Sequence, residues 1–352
     1  MRVPAFLRAR EAVTIIGALL FLLVVGLVQS RFVEVGNLVR MANSAVILAL
    51  LAAGVALVII TRNIDVSVGS TMALTGILGG LMLRDGVPAA LTVLAVVAAG
   101  AALGAINGVG VTYGHVPSIV MTLGTLGAYR GISFIITGGH SVENIPASYK
   151  RIGTLEVLGM PVLVWTALAL LVALMLVMAR TRTGRHIYAT GDNATGAHLI
   201  GVRTNGMVVL AFTASGTLAA VAALVFLAQI GSVSNQAGMG IEMRAIAAAV
   251  IGGVALSGGV GSILGATFGA VFITTVTSSL SFLGIPGFWA DTVIGAILLA
   301  ALFADSRVRA GLERRRRAAR YRTDEVPGDE PVEPPPAAAV AESTRVTSGG
   351  AS

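Results

Sequence analysis

Ionisable side chains in an otherwise apolar chain are the first places to look for chemistry, because each is costly in hydrocarbon unless it is paired or faces water. This chain has few: Asp65 in NIDVSVGS, Arg130 late in a long apolar run, Glu242 and Arg244 in IEMRA, and Asp291 at the head of the last run. Asp65, followed by Ser67 and Ser70, reads either as a helix N-cap, where the positive helix end favours a carboxylate, or as a gating group at a membrane boundary. Arg130 reads as a side chain snorkelling to the outer interface, with substrate contact as the alternative. The amides Asn107 and Gln229 lie inside apolar runs, where such groups tie helices together more often than they meet a substrate. The candidates for translocation or gating are Asp65, Ser67, Asn107, Thr122, Arg130 and Glu242.

Other chemistries are excluded by what is missing. There is no cysteine, and the four histidines (His115, His140, His186 and His198) have no paired ligand spacing, so neither a disulfide nor a metal site is expected. The lone lysine, Lys150, stands in no phosphate-binding loop, and no Ser/His/Asp set, HExxH helix or paired carboxylate lies within the apolar runs. The chain is therefore read as a non-enzyme without a cofactor. With 352 residues, 55% hydrophobic and 12% charged, it has the composition of a polytopic membrane protein. The formal charge of +7 comes from arginines at the N-terminus, around 180–203 and in 307–322. That distribution is membrane topology with anionic lipid contact, and nucleic acid is not expected as a partner.

The elements that must position these residues are apolar runs at about 12–29, 44–60, 66–83, 88–112, 117–136, 161–179, 207–229, 241–257, 262–283 and 288–304. About ten membrane-spanning helices in an all-α fold follow. With Arg2, Arg8 and Arg10 inside, an even number of crossings returns RVRAGLERRRRAARYR to the same side. Both termini are then cytoplasmic, and 138–160 is the largest external loop. The first run is too long for a signal-peptide core and lacks a small-x-small cleavage site, so it reads as an uncleaved span. The organisation expected is an N-terminal stretch 1–11, a transmembrane domain 12–304, a basic cytoplasmic segment 305–322 and a disordered Pro-, Ala- and acid-rich tail 323–352. Much of the glycine, as at Gly100, Gly104 and Gly108, recurs at four-residue spacing within the runs, which lets helix backbones approach closely in lipid.

The longest polar stretch between spans is TRTGRHIYATGDNATGAHLIGV at 181–202. Arg180, Arg182, Arg185 and Arg203 against Asp192 place it in the cytoplasm. Gly184, Gly191, Gly196 and Gly201 are expected to break it into a short helix, about Asn193 to Ile200, between turns. Such a loop can receive a soluble partner.

Several motifs resemble those of the permease subunits of ribose-type ATP-binding-cassette sugar importers. NIDVSVGS at 63–70 is similar to their GIDLSVGS, with Asn63 in place of glycine. PSIVMTLGTLGAYRGISFIITGG at 117–139, the 181–202 stretch and AGMGIEMRAIAAAVIGGVALSGGVGSILGATFGAVFI at 237–273 follow in the family's order, so the resemblance covers about 12–304. Branched-chain amino-acid permeases share a weaker version of the cytoplasmic loop. The resemblance implies a type II-like half-transporter in a bacterial inner membrane. It would work with separate ATPase subunits, an extracytoplasmic sugar-binding protein and a second permease, either a copy or a paralogue. It also implies that Gly184, Arg185, Gly191, Asn193, Ala197 and Gly201 mark the loop that couples to the ATPase. Two departures stand out. Gly196 replaces one of two paired alanines, weakening the local helix by about 1 kcal/mol, and Arg244 replaces an acid.

The residues lead to the same class by another route. A chain with no ATP site and no enzymatic constellation, but one structured cytoplasmic loop, needs an external engine. Scarce intramembrane charge suits a neutral, hydroxyl-rich solute better than an ion. A secondary transporter would show a coupling-ion site, and a scaffold would carry no flux. The topology is directly testable, because the chain has no native cysteine. In intact cells Ser148→Cys should react with an impermeant maleimide and Thr195→Cys should not; the reverse pattern refutes the orientation.

Overall fold

A computed structural model describes residues 5–300 and 303, so the calls for 1–4, the basic segment 305–322 and the tail 323–352 lie outside the described residues. The fold is helical: α1 (Ala5–Val28), α2 (Val35–Ile60), α3 (Val68–Arg84), α4 (Ala89–Thr112), α5 (Ser118–Thr137) and α6 (Ala147–Thr154) come first. A small hairpin, β1 (Glu156–Val157) and β2 (Met160–Pro161), leads into α7 (Val162–Arg180). Then follow α8 (Arg182–Asp192), α9 (Ala194–Leu199), α10 (Thr204–Ile230), α11 (Ile241–Ile251), α12 (Ile263–Phe282) and α13 (Trp289–Ala300).

Local chemistry explains the boundaries. Pro88, Pro117, Pro146 and Pro161 stand immediately before α4, α5, α6 and α7; a missing N–H costs nothing at a helix start. Thr181, Asn193 and Ser262 cap α8, α9 and α12 by accepting from the backbone N–H three residues on. Gly138 and Gly231 end α5 and α10 in the left-handed conformation.

Each of the ten predicted runs contains a helix, but they are not ten full-length spans. Among the described residues α2, α4, α5, α7, α10 and α12 are long and apolar enough to cross a membrane. The 241–257 run is the clearest departure. Its helix α11 ends at Ile251 after 11 residues, about 17 Å at 1.5 Å per residue, and the rest turns through Gly252, Gly253, Gly258 and Gly259. An apolar run at membrane depth can be broken backbone where protein surrounds it, which hydropathy cannot distinguish from helix.

α2 and α10 form the centre, buried along most of their length and crossing where Gly54 faces Ser215. The predicted role of the spaced glycines holds for α4 against α10. A Cβ at Gly104 would strike the Phe212 carbonyl, and one at Gly108 would lie 2.7 Å from Val209 Cα. Gln229 behaves as the helix tie expected of it: its Nε2 donates to the carbonyl and to Oδ1 of Asn43, both at 2.9 Å, joining α10 to α2.

The chain also repeats itself with reversed direction. α10 follows α9 and runs away from that end, whereas α2 runs toward it, since Ile60 at its close touches Gly191 of α8. As α3 packs on α4 and α10, so α11 packs on α12 and α2. The first turn of α3 is buried, with Ser67 fully enclosed, whereas that of α11 lies nearer the surface, with Met239 and Met243 75% and 54% exposed.

Gly104→Ala should lower stability by about 1–3 kcal/mol through overpacking. Gly17→Ala, at a helical position with open space around it, should be neutral or gain up to about 1 kcal/mol. Thermal unfolding in detergent reads both, and equal losses would contradict the close-packing account.

Candidate functional site

α3 begins deep because the chain does not turn at the end of α2. From Thr61 it runs back as a non-helical segment to Ser67, where α3's first turn starts. Asp65 lies in this segment, 2% exposed, and its Oδ2 accepts from Ser215 Oγ at 3.0 Å. Ser215 is eleven residues into α10, or about 17 Å along it. Asp65 is therefore well inside the bundle, not at the membrane boundary that its flanking sequence suggested. Nor is it the N-cap: that position belongs to Ser67, whose N–H and Oγ both donate to Asp65 Oδ1, at 2.9 and 2.7 Å. The carboxylate still sits at the positive end of α3.

The neighbours of this segment are the predicted candidates. Asn107 Nδ2 on α4 donates to Ser67 Oγ at 2.8 Å, while its Oδ1 is buried without a partner. Thr122 Oγ1 on α5 donates to the Ile64 carbonyl at 3.2 Å, and Ser118 Oγ accepts from Ile64 N–H at 3.2 Å. So Asp65, Ser67, Asn107 and Thr122 come together as expected. Ser118 and Ser215 complete the group and were missed, since a hydroxyl inside an apolar run gives no signal of its own. Neither ion pair among the described residues, Arg84–Asp85 and Arg244–Asp291, involves Asp65.

The second broken segment, 231–240, descends from the opposite end. Its entry is fixed by a backbone bridge between Val142 and Val233. Arg130 does not snorkel outward: its Nη1 donates to the carbonyls of Asn235 and Ala237 at 2.7 and 2.8 Å, holding this segment to α5. Thr137 Oγ1, also on α5, donates to Asn235 Oδ1 at 2.8 Å. Glu242 Oε1 accepts from Gly240 N–H at 3.2 Å in the first turn of α11, and its Oε2 is buried unpaired beside Gly69. Two helix N-termini, each with a carboxylate, thus meet across Gly69 and Gly238. Arg244 has a partner of its own: its Nη2 lies 2.7 Å from Asp291 Oδ1, linking α11 to α13.

At the α8–α9 end the glycines behave differently from expectation. Gly184 and Gly191 do not break the loop; both are buried inside α8, where a Cβ at Gly191 would strike the Ile60 carbonyl and lie 2.6 Å from Gly259 N. Gly196 lies within α9 and donates to Asn193 Oδ1 at 2.9 Å, while Gly201, at φ 87°, makes the turn. The predicted helix at 193–200 is α9, with Asn193 as its cap. Ala197 faces inward at 4% exposed, and Arg185 reaches back to the Arg180 carbonyl at 3.4 Å. The outward surface belongs to residues outside the predicted set. Leu199 and Ile200 are 81% and 79% exposed, beside a hollow lined by Ala194, Thr195, His198, Thr204 and Asn205. Two adjacent aliphatic residues before a turn glycine in a polar stretch were the available signal.

Asp65→Asn keeps an acceptor for Ser67 and lets Ser215 reverse its hydroxyl, so folded protein should persist. Asp65→Leu leaves three donors unpaired, at about 1–3 kcal/mol each, and should unfold in detergent well below the temperature of the parent. Similar melting of the two variants would show that the carboxylate network does not hold this segment.

Comparison with known proteins follows this geometry. Residues 37–302 match the family described as branched-chain amino acid transport system / permease component. The autoinducer 2 import system permease protein LsrC of Salmonella typhi is 43% identical over 312 residues, covering 89% of this chain and 90% of that one. Its counterparts in Escherichia coli and Shigella flexneri are each 42% identical over 312 residues, covering 89% of this chain and 91% of theirs. No solved structure matches. These relatives are transport subunits, not enzymes. With broken helices meeting inside a multi-pass apolar bundle and a helical knob at one end, the chain belongs to the family of permease components of such transport systems.

Proposed function

We propose that this chain is one membrane-spanning half of an ATP-driven importer of a small sugar-like solute, with autoinducer 2 the first substrate to test. The observation that carries the reading is the 43% identity to autoinducer 2 import permeases, sustained over 89% of this chain. Separate ATPase subunits dock on α9 from the cytoplasm, a binding protein delivers the solute at the α6 end, and a second permease completes the pathway. The outward face of α5 supports that last partner: Gly124, Gly127 and Gly131 have nothing within 4 Å.

The connections around α8 suggest how a push on α9 travels. Arg62 Nη2 donates to the Asp192 carbonyl at 2.7 Å, and Gly259 N–H donates to the Ile60 carbonyl at 2.9 Å. Tyr188 OH donates to the Gly261 carbonyl at 2.8 Å. The α8–α9 unit therefore grips the stem that leads into α3 and the turn that follows α11. Displacement of the knob acts on both broken helices at once, and Asp65 lies three residues beyond Arg62. Its hydroxyl partners can be exchanged more cheaply than an ion pair can be broken, which suits a gating role.

The alternatives are an importer of branched-chain amino acids, as the family description has it, and a transporter driven by an ion gradient. Proteoliposomes holding the permease pair, its ATPase and its binding protein should take up autoinducer 2 or ribose, but not leucine, and only with ATP. Uptake of leucine alone would favour the first alternative, and uptake without ATP the second. Within that assay Leu199→Asp and Ile200→Asp should insert normally, because both side chains face solvent. Each should cost roughly 2 kcal/mol or more of ATPase association, as apolar anchors in a partner's groove do, with copurifying ATPase and substrate-stimulated hydrolysis lost together. Undiminished association would make α9 a connector only. Gly191→Val is a poorer test, since it would collide with the Ile60 backbone and disturb the fold itself.

A further inference from the structure

We propose that the β1–β2 hairpin is a membrane-interface anchor, whose tip Leu158 enters the boundary between lipid headgroups and acyl chains beside α7. The turn is two residues, Leu158 and Gly159, with φ of 54° and 74°, between strands in the register Val157 to Met160. Positive φ at both positions is the type I′ hairpin, in which Asn-Gly is favoured and a leucine in the first position is disfavoured. The chain nevertheless carries leucine there, and the side chain is 88% exposed. An apolar residue held in a conformation it resists, and pointed away from its own fold, calls for a partner of low polarity.

The surroundings identify that partner as lipid. Leu155 and Val157 are 52% and 46% exposed and, alternating with the exposed Glu156, give the hairpin one apolar face that Leu158 extends, leaving the carboxylate on the other face for the headgroup and water side. That surface continues down α7 through Trp165, Leu168, Val172 and Leu176, exposed residues at helical spacing that form a bilayer-facing stripe. Trp165 stands at the junction, and its Nε1 donates to the Val157 carbonyl at 3.0 Å, clamping the hairpin onto the first turn of α7. An indole with an apolar body and one polar tip is the side chain suited to the headgroup level. The platform behind is firm. Tyr149 of α6, its hydroxyl pushed up to about 12 by burial, donates to the Leu224 carbonyl at 3.1 Å, and Gly153 lies against the backbone of Ala228. The hairpin therefore has a fixed height relative to α10, as an anchor requires.

The cysteine-free chain allows a depth measurement in nanodiscs, where both faces are accessible. A nitroxide on Leu158→Cys should collide several-fold more with oxygen than with a water-soluble nickel chelate, at a depth of about 5–10 Å. The same label on Ser148→Cys, on α6, should favour the chelate. The second arm uses Leu158→Asn, which suits the turn and keeps the hairpin folded. A label on Val157→Cys should be oxygen-favoured beside Leu158 and chelate-favoured beside the asparagine. Chelate access at position 158 equal to that at 148, or no change at 157 on the asparagine substitution, would overturn the proposal and leave the hairpin to a protein partner.

Discussion

Backbone amides and carbonyls at membrane depth must be hydrogen-bonded from within the protein, and most of this structure follows from that constraint. Helices meet it automatically. Two of the non-helical segments, 61–67 and 231–240, meet it partly through local turns and partly through specific neighbours: Ser118 and Thr122 for the Ile64 peptide groups, and Arg130 for the carbonyls of Asn235 and Ala237. All three lie on α5. One helix thus supports both breaks, so a change in its position alters the two segments together. α5 also carries Gly124, Gly127 and Gly131, which have open space around them.

The rest of the bundle is built for close approach. Apolar burial gives helices little reason to associate in lipid, and contact density has to do the work. Gly54 against Ser215 leaves a Cβ only 3.0 Å of room, and Gly104 against Phe212 and Gly269 against Ala248 bring backbones to distances that no larger residue would permit. The first of these crossings lies in the two central helices; the second joins α4 to α10 and the third joins α12 to α11. Each belongs to an arrangement that recurs with reversed direction in the other half. Polar side chains collect instead where helix is interrupted, Asp65, Ser67 and Asn107 at the first break and Arg130, Thr137 and Asn235 at the second.

The charges obey the same logic. Asp65, buried, and Glu242, partly buried, each sit at a helix N-terminus, where the aligned peptide dipoles offset part of the cost of desolvating a carboxylate. Arg130 offers its guanidinium to two carbonyls instead of to water. Arg244 is matched by Asp291 across α11 and α13, in a pair exposed enough to add little stability. Leu158 is the converse case, an apolar group outside the protein.

Several features follow from the sequence by itself. Apolar run lengths located a helix in each of the ten runs, and the NIDVSVGS, GRHIYATGDNATGAHLIGV and IEMRAIAAAVIGG motifs indicated the permease class. The short helix at about 193–200 and the turn at Gly201 were readable from local propensity, because helix ends and left-handed backbone are local matters. What hydropathy could not supply was depth. Asp65 lies beside Ser215, 150 residues away in the chain, and only the return of 61–67 along α10 puts it there; for the same reason 241–257 scanned as one span although its second half is turns. Gly184 and Gly191 looked like loop breakers because glycine usually is one in a polar stretch. The tertiary contacts with Met178 and Ile60 make them packing residues within α8. The same packing turns Ala197 inward and leaves Leu199 and Ile200 outside, since which side of a short helix faces a partner depends on what lies beneath it.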